Sequence, residues 1–303
     1  MTQSVPLLPF VRRRRNTRNE RISGMTPEHL QTLRQAHRRL EQPSFAARLA
    51  NVVGTPVEML FRLFPRSWNV HLHHAAENAI EHALDAAIRS LEGREPDISP
   101  ARFSRTRYKV MGGLTGAVGG FFGGAAMWLE LPATTLLMLR AIAQIASEEG
   151  EDIRSLETRL ACLEVFALGG HSREDDATDT GYYSLRLAMQ IPVASAARHV
   201  AVYGMEVRGA PVLVGLMSRV SQRFGVVLSQ KLAAEIIPVV GALGGAAVNT
   251  LFMQHFIDVA RGHFVVRRLE KIYGPDVVRA AYTGFCEEKS SASRNGSLTR
   301  EAA

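Results

Sequence analysis

Six polar residues sit where a helical chain could build a small acid–base or anion site: Glu130, Thr134, Thr135, Arg140, Lys231 and Asn249. Glu130 ends a long uncharged run and is followed by Leu131 and Pro132. A proline disfavours helical geometry at the residue before it and clashes with the carbonyl four residues back, here Trp128. The sequence therefore predicts a break, with Glu130 at the N-terminus of a helix near 132–148. A carboxylate there is favoured by the helix dipole, and Arg140, Lys231 or Asn249 could pair with it. Thr134 and Thr135 then fall in the first turn, where their hydroxyls can satisfy free backbone N–H groups or help hold an anion. Such a pocket would suit a hydrolase-like cytoplasmic enzyme. The competing reading is a cap and buried ion pair with no chemistry.

His71, His73, His74 and His82 lie beside Glu77, Glu81 and Asp85. His73, Glu77, Glu81 and Asp85 would form an i, i+4 stripe, a spacing that can bind a metal. No His-Glu-x-x-His motif is present, so a solvated polar face is expected, with no metal. The chain also lacks a G-x-S-x-G elbow, a phosphate loop and a strand-linked G-x-G-x-x-G. No cofactor is expected. Cys162 and Cys286 form no C-x-x-C or metal-spaced cluster and read as buried or idle thiols.

The element meant to position Glu130 is unusual. Residues 110–129 are uncharged and include seven glycines. Inside a helix these cost about 7 kcal/mol relative to alanine. At 100° per residue, Gly112, Gly113, Gly116, Gly119, Gly120, Gly123 and Gly124 fall within about 140° of arc. They form a smooth face that another helix can approach closely. A second uncharged stretch, 236–257, carries Gly241, Gly244 and Gly245, and the two faces are expected to pack on each other. Twenty uncharged residues just suffice to cross about 30 Å of hydrocarbon. The close bracketing by Lys109 and Glu130 and a mean hydropathy of −0.02 favour a buried pair over a fixed or re-entrant span.

Charge is concentrated at the start. Residues 1–48 hold ten Arg against three Glu, which accounts for the whole net charge of +7. Arg12, Arg13, Arg14 and Arg15 form a run suited to anionic lipid headgroups. No aromatic-rich basic patch points to nucleic acid. The apolar stretch Ala46–Trp68, with Arg48, Arg62 and Arg66, could lie in a lipid interface or pack on the core. No secretory signal is recognisable.

Helix-period apolar residues recur along the chain, and no period-2 strand pattern does. Helices are expected near 26–41, 44–64, 68–92, 99–129, 132–148, 152–168, 181–207, 211–236, 238–272 and 275–288. The resulting organisation is all-α, with nine or ten helices around a central glycine-rich pair. Residues 1–43 read as an arm and leading helix, 44–289 as the helical domain and 290–303 as a polar tail.

Several segments, taken in order, resemble the EcsC family: Lys109–Gly124, Glu130-Leu-Pro-Ala-Thr-Thr135, Leu139–Ala146 and Gly150-Glu-Asp152. Tyr182-Tyr-Ser-Leu-Arg186, Phe224–Lys231, Ile237–Ala246, Asn249 and Arg267–Gly274 continue the likeness, which spans most of residues 100–275. The resemblance implies a bacterial helical protein without an established biochemical activity or catalytic residues to carry over. It also implies a role near the cytoplasmic membrane, since the founding member is associated with a two-component ABC transporter. The expectation is a non-enzymatic protein, peripheral to or reversibly inserted in the inner face of that membrane. Its partners would be an anionic surface and a transport or secretion component.

Overall fold

Glycine, proline and polar clusters punctuate the chain into helices. The computed structural model describes residues 24–41, 44–53, 74–82, 124–170, 181–203, 210–235 and 241–286, and among them there are nine helices and no strand. In chain order these are α1 (Pro27–Leu40), α2 (Phe45–Val53), α3 (74–82), α4 (Gly124–Glu148) and α5 (Leu156–Leu168). They are followed by α6 (Gly181–Tyr203), α7 (Pro211–Glu235), α8 (Gly241–Tyr273) and α9 (275–286).

Local chemistry sets most ends. Thr26 caps α1 by accepting the His29 N–H at 3.3 Å, with Pro27 in the first turn and His37, Arg38 and Arg39 in the last. Ser155 caps α5 by accepting the Thr158 N–H at 3.2 Å. Gly150 closes α4 at φ +82°, and the N–H groups of Gly150 and Glu151 bond back to the carbonyls of Ser147 and Ala146.

The break expected between 129 and 132 does not form. Helix α4 runs unbroken through Glu130 and Pro132, so Glu130 lies inside a helix and not at an N-terminus. An interior proline costs about 3 kcal/mol. Leu131, Thr134, Thr135, Met138 and Ile142 are all buried, and this packing outweighs the local preference.

At 33 residues, α8 is the longest of the described helices, about 50 Å at 1.5 Å per residue. Helices α1, α2, α4, α5 and α7 all pack on it, while α6 packs on α5 and α7. The centre is aromatic: Phe166 of α5, Phe224 of α7, and Phe252 and Phe256 of α8, with centroids 5.2–6.1 Å apart. Phe45 of α2 reaches the same cluster, 5.8 Å from Phe252. Leu49 of the amphipathic stretch is buried in the core, as is Phe45 just before that stretch. Arg48 pairs with Asp258 at 3.8 Å.

Most of the glycines expected to mediate packing are not among the described residues. Gly112, Gly116, Gly119, Gly120 and Gly123 lie outside the described residues, as do Arg12–Arg15, His71 and His73. Gly124 begins α4, Gly241 begins α8, Gly244 lies within α8 and Gly245 is buried there. Among the described residues a close approach is made at Gly262, where an added Cβ would sit 2.5 Å from Leu40 Cγ. Helix α1 thus rests on the backbone of α8. Gly262→Ala should lower stability by about 1–2 kcal/mol, because overpacking exceeds the roughly 1 kcal/mol regained in propensity. In a denaturant titration, adding Leu40→Ala should cost less than the two single changes summed; strict additivity would count against the contact.

Among the described residues no helix is long and apolar enough to cross a membrane. On α3, His74, Glu81 and His82 face outward while Ala76, Ala79 and Ile80 are buried. No group of three metal-ligating side chains occurs among the described residues.

Candidate functional site

Helix α5 is apolar on nearly every side, as its position demands: α4, α6, α7 and α8 all pack against it. Residues 160–168 are buried throughout, and one of them is a carboxylate, Glu164, at 4% exposure. Its Oε1 has no hydrogen-bond partner. Burial pushes the Glu164 carboxyl up to about 7, against the attraction of Arg186 and Arg267 and with the repulsion of Glu270.

The two neighbouring helices supply the charges. On α6, Tyr182 and Arg186 share a face at i, i+4; on α8, His263, Arg267 and Glu270 fall within about 60° of arc. Arg186 donates two bonds to Glu270, Nη1 to Oε1 at 2.7 Å and Nη2 to Oε2 at 2.6 Å. That parallel geometry is the strongest arrangement an ion pair offers. Tyr183 donates its hydroxyl to the same carboxylate at 3.2 Å. The Tyr182 hydroxyl lies 3.0 Å from Nδ1 of His263, whose Nε2 has no partner. Burial, together with Arg186 and Arg267, holds the His263 imidazole well below its usual range, so it is neutral.

A second cluster adjoins the first. Glu151, in the α4–α5 turn, accepts Arg267 Nε at 3.1 Å and pairs with Lys271 Nζ at 2.9 Å. Burial opposes its ionisation, but the bonds from Arg267 and Lys271 prevail and hold the carboxyl below its usual value. Arg268 pairs with Glu149 at 2.7 Å. The network therefore ties α5, α6 and the α4–α5 turn to the C-terminal half of α8. With Glu164 sealed from solvent, the chemistry open to it is proton uptake near neutrality.

None of the six sequence-nominated residues takes part in the contacts just described. Thr134 and Thr135 are buried, and Thr135 Oγ1 donates to the Leu131 carbonyl at 2.8 Å instead of serving a helix start. Arg140 is exposed and lies about 120° and 140° around α4 from the two threonines. Lys231 is buried on α7 with its ammonium 5.3 Å from the Phe252 ring centre. Asn249 is buried on α8, one turn from Phe252. Glu130 belongs to the interior of α4.

The ionic network was not nominated as a site, although two of its sequence runs, Tyr182–Arg186 and Arg267–Lys271, carry part of the likeness noted above. The available signal is Glu164 itself, a lone charge within Leu160–Leu168. Comparison with known proteins decides the relationship: the profile of the EcsC protein family matches residues 27–269. The chain belongs to the EcsC family. No curated protein sequence and no solved structure matches it. The EcsC match takes in α1 through most of α8, and thus Glu164, Tyr182, Arg186, His263 and Arg267.

Proposed function

We propose that this EcsC protein is a non-enzymatic helical module that docks peripherally on an anionic membrane surface beside a transport or secretion component. The observation carrying the reading is the outer face of α6. Leu187, Ile191, Ala194 and Val202 fall within about 80° of arc, all exposed, Ile191 at 75%. One charge, Arg198, shares that face and is also exposed. On α7, packed beside α6, Val212 and Val214 are exposed and Arg219 adds a second basic group. Apolar side chains interspersed with arginine suit the boundary between acyl chains and acidic headgroups. The arginine run Arg12–Arg15 adds roughly 1 kcal/mol per residue near such a surface. The family's founding member, associated with a two-component ABC transporter, supports the same location.

Vesicle flotation of the full chain tests this. Binding to vesicles containing phosphatidylglycerol is expected at low salt, with weaker binding to neutral phosphatidylcholine vesicles and loss at high salt. Leu187→Glu with Ile191→Glu should abolish binding while leaving the melting temperature nearly unchanged, since both side chains are exposed. Equal flotation of that variant, or none by the native protein at low salt, would reject the reading.

A further inference from the structure

Both cysteines are buried, but their neighbours differ. Cys162 is 2% exposed in α5, and burial pushes its thiol up to about 12, which makes it inert. Cys286, at the end of α9, has its Sγ 3.2 Å from Nε2 of His37 on α1. Both residues are buried, each 6% exposed. The imidazole is held in place by edge contacts to Tyr282 and Phe285, with centroids 4.7 and 5.7 Å away. Arg34 of α1 places its guanidinium 4.8 Å from the Phe285 ring centre, so a fixed cation stands over the residue beside Cys286. The Glu41 carboxylate, which would oppose a thiolate, is engaged at 2.8 Å by the Tyr282 hydroxyl. Tyr182 and Tyr183 of α6 pack behind Tyr282, with centroids 5.6 and 4.9 Å away.

An imidazole in contact with a thiol can take its proton and leave a thiolate–imidazolium pair, the usual means of making a cysteine nucleophilic. We infer that Cys286 is the reactive thiol of this protein, activated by His37, and a site of oxidation by small peroxides. In that step the thiolate sulfur attacks one peroxide oxygen. The S–O bond forms as the O–O bond breaks, and sulfur loses two electrons to become sulfenic acid. The departing hydroxide takes the proton from His37 and leaves as water. The added oxygen falls between α1 and α9, so oxidation presses on the contact that seats α1.

Alkylation of the native full chain by iodoacetamide, followed by peptide mapping, tests the assignment, with dimedone trapping after hydrogen peroxide as a second readout. Cys286 should label at pH 7 at least about tenfold faster than the same cysteine in the denatured chain, with a pH midpoint below the ~8.5 of a free thiol. Cys286→Ser should abolish the fast label, and Cys162→Ala should leave it unchanged. His37→Gln should slow it about tenfold at pH 7 and move the midpoint toward that of a free thiol. Faster or unchanged labelling in His37→Gln would show that burial, not the imidazole, governs the thiol, and would overturn the inference. Should that variant fail to fold, the native pH profile decides alone: a midpoint at or above ~8.5 overturns it.

Discussion

Arg186→Ala is expected to destabilise the protein by about 3 kcal/mol. The native guanidinium holds Glu270 through two bonds of 2.7 and 2.6 Å, and the two side chains are only 19% and 13% exposed. Removal leaves the Glu270 carboxylate largely out of water, with the Tyr183 hydroxyl as its remaining described donor. The loss measures that stranded charge more than the worth of the pair. Arg186→Met combined with Glu270→Met should therefore recover most of the loss, since two apolar side chains strand nothing. Arg186→Lys should fall between, keeping the charge but not the two-pronged geometry. Chemical denaturation gives all three values. A change below about 0.5 kcal/mol for Arg186→Ala would mean that the pair behaves as a solvent-screened surface bridge.

Glu164→Gln should have an effect of similar size and opposite sign, and it should depend on pH. The carboxyl titrates near 7 in the folded chain against 4.5 as the reference value. Because the folded state holds this proton more tightly, the favourable contribution is complete below pH 4.5 and is lost as pH rises through 7. At about 1.36 kcal/mol per unit, the difference between variant and native stability should grow by about 3 kcal/mol from pH 4.5 to pH 8. His263 works the other way: its lowered value contributes stability above pH 6.5 that fades as pH falls. Comparing native and variant at each pH cancels that background. A difference that stays constant across the range would mean that Glu164 is not desolvated.

Helix class and most helix ends are legible in the chain because they are local. Thr26-Pro27, Ser155 and Gly150 each specify a cap within a few residues, and each does so in the structure. Pro132 shows where local reasoning stops. Its steric preference is real, but the buried face formed by Leu131, Thr134, Thr135, Met138 and Ile142 carries the helix across it. The ionic network is illegible for another reason. Glu164, Arg186 and Glu270 come from three helices, and only their packing shows which charges meet. Gly262 hides in the same way: its lack of a side chain matters because Leu40, more than 200 residues earlier, descends on it.

That distance also bears on how the chain reaches its fold. Helix α1 finds its seat on α8, which ends at Tyr273, while α2 packs on both α7 and α8. During synthesis at about 5–20 residues per second, roughly 10–40 s separate the emergence of Leu40 from that of Gly262. Through that interval Leu33 and Leu40 of α1 lack the α8 surface that covers them in the folded chain. The α8 mast is thus a late arrival on which α1 depends, and the nascent chain must shelter the apolar face of α1 until the C-terminal half of α8 has left the ribosome.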